Sequence, residues 1–324
     1  MAARMEPAPL DAPLRDLRRL RAADLDSLLA AALREWRERL DWDFSKSADL
    51  VTRFVDMQAL SGYALMDGRE AAGYTYYVLE EHKGLIGDLY VRDAFRTPEN
   101  ENRLLEAALE DLFAGPDIRR IEAQLVMIDA FGGRRMPFQR FLRAYERLFM
   151  MLDMMAHPLP PRSAGAQGLA IQHWGDPQQE VSARLIAEAY DGHVDSLIND
   201  QYRSVEGARR FLFNIVQYPG CGTFFKPASL AAYDASSGRM VGLCLASLVG
   251  PQCGHITQIC VAPRVRGRGI GYELMRQALR ALREAGCRRT SLTVTASNRG
   301  AVTLYQGLGF STLRRFCAYV WEGF

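Results

Sequence analysis

The sequence of 324 residues contains no apolar run near the ~18 residues that a membrane span requires. A membrane protein is therefore not expected. Arginines near the N-terminus are followed by no apolar core of the kind a secretory signal carries, and a cytoplasmic location is expected. Charge of one sign is also scarce. The formal net charge is +2, too small for the basic field that draws a protein onto nucleic acid. Arg-rich stretches such as Arg15 to Arg21 alternate with Leu and Asp and read as the wet face of a helix. No C-x-x-C occurs among Cys221, Cys244, Cys253, Cys260, Cys287 and Cys317. Scattered through strand-like runs, these cysteines suit reduced, buried thiols better than a disulfide frame. Cys253-Gly254-His255 is too little for a metal site, and no metal is expected. The G-x-G-x-x-G of a dinucleotide fold and the Gly-Lys-Ser/Thr end of a P-loop are both missing.

What is present is a soluble globular composition, 48% hydrophobic and 24% charged, and one unusual loop. Val261-Ala262-Pro263-Arg264-Val265-Arg266-Gly267-Arg268-Gly269-Ile270-Gly271 joins an apolar run, Ile256 to Val261, to an amphipathic one, Ile270 to Ala285. Glycine at every second position leaves the backbone bare where a strand passes into a helix. Successive N–H groups can then face one concavity at the positive end of a helix dipole, which is a receptor for a pyrophosphate. Arg264, Arg266 and Arg268 add cationic charge beside it. About 30 residues on, the pattern N-x-x-A-x-x-L-Y-x-x-L-G-F runs from Asn298 to Phe310. Ala301, Leu304, Tyr305 and Leu308 share one helical face. Asn298 stands at the N-cap and Gly309 at the C-cap.

The form Val-x-Pro-x-x-Arg-Gly-x-Gly-Ile-Gly resembles the acyl-CoA pyrophosphate loop of the GNAT superfamily of N-acetyltransferases, and the second block fits the same resemblance. It implies acetyl-CoA as co-substrate. Arg266, Gly267, Arg268, Gly269, Ile270 and Gly271 would hold its pyrophosphate. Backbone groups of Ile259, Cys260 and Val261, on a strand splayed from its neighbour, would hold the pantetheine. Asn298 and Tyr305 would lie beside that arm, and Tyr305 would protonate the leaving thiolate. An amine then attacks the thioester directly, with no covalent enzyme intermediate. An alkyl amine near pKa ~10 is charged at neutral pH, so a base or a water chain to one is expected. His255, at the start of the cofactor strand, is the first candidate. Asp191, His193 and Asp195 follow the first helix of this half and read as a polar loop on the acceptor side, with a metal at this D-x-H-x-D as the lesser alternative. The acceptor could be a small molecule, a peptide N-terminus or a protein lysine. The competing reading is a non-catalytic acyl-CoA-binding or regulatory module of the same fold.

The Pro-rich segment from His157 to Gly165 is the best linker, and the halves beside it repeat at an offset of about 170. Leu104, Leu105, Ala108, Leu109 and Leu112 fall on Leu274, Met275, Ala278, Leu279 and Leu282, and Arg96 falls on Arg266. The expected fold is α/β, two tandem GNAT-like domains, each a central mixed sheet flanked by helices. The expected bounds are 1–156, a linker at 157–168, and 169–324. Gly267, Gly269 and Gly271 fall on Thr97, Glu99 and Glu101, so the first domain has lost the cofactor loop. It could supply an acceptor-site wall or a dimer contact. In the first half, helix is expected over Leu14 to Leu40, and a short helix or loop over Phe138 to Leu148. The second half reads βααβββαβαβ.

Overall fold

The computed structural model describes residues 12–129, 134–162 and 167–324. They form two compact units. One holds residues up to Leu40, Phe44–Glu146 and Arg315–Phe324; the other holds Asp41–Asp43 and Arg147–Arg314.

In the first unit the chain runs β1 (Leu14–Asp16), α1 (Asp26–Leu40), α2 (Ser45–Asp56), β2 (Ser61–Asp67), β3 (Glu70–Glu80), β4 (Lys83–Val91), α3 (Pro98–Ala114) and β5 (Arg120–Gln124). Strands β1 to β4 pair antiparallel in sequence order, and β4 pairs parallel with β5. The core of this unit gathers Leu104, Leu105, Ala108 and Leu109 of α3 against Leu89 and Val91 of β4.

A long strand, β6 (Leu142–Asp153), leads into the second unit. There the chain runs β7 (Leu169–His173), α4 (Gln179–Tyr190), α5 (Asp195–Ile198), α6 (Val205–Gln217), β8 (Thr223–Phe224), β9 (Leu230–Asp234), β10 (Met240–Gly250), β11 (Cys253–Val261), α7 (Ile270–Glu284), β12 (Arg289–Thr295) and α8 (Arg299–Gly307), and β13 (Ser311–Glu322) then returns to the first unit from Arg315 on. Strands β10 and β11 are antiparallel, and β11 and β12 are parallel. Each unit is thus a mixed sheet with helices packed on it, as expected.

The repeat is legible residue by residue. Parallel pairing covers Lys83–Ile86 with Arg120–Ala123 in one unit and Cys253–Ile256 with Arg289–Leu292 in the other. Both antiparallel hairpins slip register at matching places, Tyr76/Tyr77 and Leu245/Ala246. A Cβ on Gly84 would stand 2.5 Å from Leu112 Cδ2, and one on Gly254 would stand 2.7 Å from Leu282 Cδ2. In both units the helix that follows this strand therefore presses a leucine onto a bare glycine of the strand, so close that a Cβ there would force the leucine to shift.

The division of the chain differs from the contiguous halves at 1–156 and 169–324. The last strand of the first unit comes from the far end of the sequence, since Ala318–Glu322 pair antiparallel with Gln124–Arg120 of β5. The last strand of the second unit comes from its beginning, since Arg147–Asp153 pair with Thr295–Arg289 of β12. Each sheet is completed by a strand that sequence order would assign to the other half. Of the expected linker, residues 163–166 lie outside the described residues.

Two local readings are corrected. The helix expected over Leu14 to Leu40 begins only at Asp26. Before it lie β1 and two short 3-10 turns, because the Asp16 and Asp24 carboxylates accept the backbone N–H groups of Arg18 and Arg21, both at 2.9 Å. Such side chains compete with helical hydrogen bonding. The expected short helix or loop over Phe138 to Leu148 is mostly strand, as Leu142 opens β6. Among the described residues, no helix is long and apolar enough to cross a membrane.

Candidate functional site

Pairing between β11 and β12 stops at Ile256↔Leu292. Beyond it, Thr257 is bulged at a register slip and Gln258–Val261 leave β12 while staying paired with β10. A strand so released presents backbone groups to any extended chain laid beside it. Below this opening lies a cavity of about 560 Å³ in the second unit. Its walls are the end of β11, the following loop, the first turn of α7, the first turns of α8, and the end of α4 with the loop after it.

The loop bares its backbone at its glycines. Gly267 and Gly269 have φ of +78° and +77°, the left-handed region that glycine enters without strain. A Cβ on Gly267 would meet nothing within 4 Å, so the bare surface faces open space. Gly269 is the N-cap of α7 and has no side chain to bond the first turn. The N–H groups of that turn have no intrahelical partner, and the dipole makes this end attractive to an anion. Arg266 is fixed by hydrogen bonds to the Val261 carbonyl at 3.3 Å and the Ala189 carbonyl at 2.6 Å. It forms part of the cavity wall.

The first unit shows the same element closed. Thr97 caps α3 there, its Oγ1 accepting from the Asn100 N–H at 3.2 Å. Pro98 stands in the first turn with Glu99 and Glu101. Arg96, the counterpart of Arg266, also bonds a strand-end carbonyl, that of Val91. It is then neutralised by the Glu35 carboxylate at 2.5 Å and by Asp93 at 2.6 Å. The N-terminus that is bare in the second unit is occupied by the chain itself in the first.

Of the site residues expected from the sequence, Ile259, Cys260, Val261, Arg266, Gly267, Gly269, Ile270, Gly271, Asn298 and Tyr305 all line the cavity. Arg268 does not; it is exposed and outside the wall. Tyr305 reaches the cavity from α8 and is otherwise buried. Burial raises its phenol above the ordinary range, with Cys244 and Asp195 adding to this and Arg147 opposing it. It therefore carries its proton at neutral pH. Burial likewise pushes the Cys260 thiol up to about 12, with Arg266 opposing. Asn298 caps α8 through its Oδ1, which accepts from the Ala301 N–H at 3.3 Å.

His255 is corrected. It lies near the start of β11, buried and away from the cavity. Its Nδ1 bonds Ser291 Oγ at 2.9 Å, and its ring packs edge-on against Trp42 with centroids 4.9 Å apart. Burial lowers its pKa to about 3. An imidazole sealed among aromatic rings cannot exchange protons with a substrate. At ~3.3 Å per strand residue, position 255 falls more than 10 Å short of the backbone at 259–261.

Two cavity residues were not expected by name in these roles. Tyr190 closes α4 and lines the cavity. Its hydroxyl donates to the Ile259 carbonyl at 3.4 Å and accepts from Gln258 Nε2 at 3.1 Å. His193, read from the sequence only as part of a polar loop, also lines the cavity. Asn298 Nδ2 stands 3.2 Å from its Nε2, which joins the acceptor-side loop to the cap of α8. The sequence signal for both was position alone, Tyr190 at the end of the first helix of this half and His193 just after it. Gln258 stands beside the β11 register slip; its counterpart in the first unit, Asp88, accepts from the Tyr74 hydroxyl at 2.7 Å and is pushed up to about 6 by burial. Among the described residues, no group of His, Cys, Asp and Glu could hold a metal ion.

Residues 193–310 match the family model described as the acetyltransferase (GNAT) family. An N-alpha-acetyltransferase MAK3 of Arabidopsis thaliana is 40% identical over 70 residues, covering 22% of this chain and 37% of that protein. The chain thus aligns with well under two thirds of that relative's length. A mycothiol acetyltransferase of Saccharopolyspora erythraea is 26% identical over 259 residues, covering 75% of this chain and 80% of that one. Among solved structures, a tandem GNAT protein from the clavulanic acid biosynthesis pathway superposes with a TM-score of 0.62 at 16% identity, covering 96% of this chain and 98% of that one.

Proposed function

Since residues 193–310 are a domain of the GNAT acetyltransferase family, we propose that the protein transfers an acetyl group from acetyl-CoA to an amine by direct attack, in its second unit only. The observation that carries this reading is the uncapped N-terminus of α7, opened by Gly267 and Gly269, at the foot of a strand that has parted from its neighbour. The residues present fit the cofactor. The N–H groups of the α7 first turn and Arg266 suit a pyrophosphate. The Ile259–Val261 backbone suits the amide-bearing pantetheine arm, and Tyr305 and Asn298 face the same cavity.

When bound, acetyl-CoA supplies the activated acyl group; the chain's residues position it and manage protons. The backbone of Ile259–Val261, released from β12, would hold the arm, and a free N–H group of that strand would polarise the thioester carbonyl. Tyr305 keeps a proton that it can give to the departing sulfur. Cys260, a thiol at neutral pH, is not needed as a nucleophile. The acceptor is a small-molecule or peptide amine. Free, mostly buried cysteines suit a reducing cytoplasm.

The alternative is a module that binds acyl-CoA without turnover. Tyr305 favours the enzyme, because a binding module has no use for a protonated phenol at the thioester end. A thiol-release assay with acetyl-CoA and a panel of amines separates the two. Release that depends on an amine supports transfer, whereas tight acetyl-CoA binding with no release from any amine refutes it.

A further inference from the structure

After β6 the chain turns on Asp153, whose carboxylate accepts from the Met155 and Ala156 N–H groups at 2.8 and 3.2 Å. Pro158, Pro160 and Pro161 then bar helix and favour an extended path. This Pro-rich strap belongs to the second unit and is tied to α7 at two points. Arg283, in the last turn of α7, donates to the His157 carbonyl at 2.7 Å and to that of Met154. Tyr272, in the first turn, donates its hydroxyl proton to the Pro161 carbonyl at 3.1 Å. Leu159, between the two ties, packs against the core of the unit. Arg283 and Tyr272 stand about 16 Å apart along the helix at ~1.5 Å per residue. Four strap residues at ~3.1 Å each span about 12 Å, and the arginine side chain makes up the rest. The strap therefore follows α7 against its direction, from its last turn to its first.

Tyr272 also lines the cavity, so the pinned end of the strap stands at the cavity's rim. With the pyrophosphate at Gly267–Gly271 and the arm running inward along β11, the nucleotide would leave the other way, past Tyr272 and the first turn of α8. A Cβ on Gly300, which lines the cavity from that turn, would meet nothing within 4 Å, so the rim is open there. A 3′-phosphate on the nucleotide carries a charge of about −1.5 to −2 at neutral pH and calls for a cation of its own. Arg266 stands in the wall beside the pyrophosphate loop and bonds two carbonyls. Arg264 pairs with Glu188 at 2.9 Å. Arg162 directly follows the pinned Pro161. It is exposed and makes no hydrogen bond or ion pair with a described residue.

We infer that, granted the acyl-CoA reading above, Arg162 binds the 3′-phosphate of the cofactor's nucleotide, delivered to it by the strap that Tyr272 pins. The protein then distinguishes acetyl-CoA from its 3′-dephospho form. A guanidinium suits this task, because its planar fork meets two phosphate oxygens at once. The Tyr272 bond holds the carbonyl just before Arg162, so the backbone that carries the arginine is placed in advance and less freedom is lost on binding. The contact lies at the surface, so dissolved salt weakens it.

Calorimetric titration of the full chain compares acetyl-CoA with acetyl-3′-dephospho-CoA, and thermal unfolding checks that each variant stays folded. The parent protein should prefer acetyl-CoA by ~5-fold or more, the upper range for one exposed charge pair, and the preference should shrink as salt is raised. Arg162→Ala should bind the dephospho form as the parent does and lose the preference for acetyl-CoA. Tyr272→Phe keeps the ring and removes the pin, and should lose part of the preference. Equal binding of the two forms by the parent overturns the 3′-phosphate site. A preference that survives Arg162→Ala, or that disappears instead in Arg299→Ala at the start of α8, overturns the assignment to Arg162. A preference that Arg162→Ala loses and Tyr272→Phe keeps in full overturns the role of the pin. In all these cases acetyl-CoA still binds and the acyl-CoA reading stands. Failure of either form to bind the parent at all overturns that reading, and the role of Arg162 with it.

Discussion

Replacing Gly269 by Asp tests the cofactor loop at its most exposed point. Gly269 caps α7 at φ +77° with no side-chain bond to the helix. Aspartate tolerates this conformation better than most residues but still costs about 1–2 kcal/mol. A carboxylate at a helix N-terminus returns ~0.3–1 kcal/mol. The net loss of stability is therefore about 1 kcal/mol, and the unit should stay folded. Binding changes far more. The carboxylate would satisfy the α7 N–H groups in the way that Thr97 satisfies those of α3. It would also stand about 5 Å from the pyrophosphate, where two like charges repel by about 3 kcal/mol at an effective dielectric near 20. That is a loss of more than ~100-fold in affinity. Gly269→Asn, which keeps the shape but not the charge, should lose less. Calorimetric titration with acetyl-CoA gives the affinities, and thermal unfolding checks the fold. A folded Gly269→Asp protein that binds acetyl-CoA as tightly as the parent would refute the placement of the pyrophosphate at α7.

Three further outcomes are expected. Titration of the whole chain should give one acetyl-CoA site, since the first unit caps its own helix with Thr97 and neutralises Arg96 with Glu35; two equal sites would refute this. Tyr305→Phe should lower turnover at least ~10-fold, the low end for a lost general acid, with little change in acetyl-CoA affinity; full activity would make Tyr305 a packing residue. His255, held neutral with its pKa lowered to about 3, binds a proton more readily in the unfolded chain. Stability from this residue is complete above about pH 6.5 and is lost as pH falls toward 3. At pH 5 the loss is about 2 kcal/mol, so His255→Asn should flatten the acid limb of the melting temperature, and an unchanged limb would show that other groups govern it.

The glycine loop and the 298–310 block were legible because they are local. Their spacing sets the backbone of one turn and one helix face, and ten of the expected residues meet at the cavity. His255 was misread because its role depends on Trp42 and Phe149, distant in sequence, which seal it from solvent. Tyr190 and His193 carried no motif; they matter because α4 ends where β11 leaves β12. The extra strand content near Leu14 and Leu142 was hidden for a similar reason. Carboxylate-capped turns mimic a helical pattern in the first case. In the second, the later part of the strand, from Arg147, is fixed by its pairing with β12, which a single-sequence reading does not see.

The exchange of final strands sets an order for biosynthesis. When a ribosome has released the first 146 residues, nearly all of the earlier unit exists, yet β5 has an open edge. Its partner, Ala318–Glu322, is translated only after the whole of the other unit. The nascent unit must therefore carry an unpaired strand edge, the feature most prone to wrong pairing, through the synthesis of about 170 further residues. The unit with the cavity, which begins later, receives its closing strand Arg147–Asp153 before any of its other strands are made. A premature stop shortly before Arg315 would thus spare the cofactor cavity's own sheet and leave the amino-terminal unit unfinished.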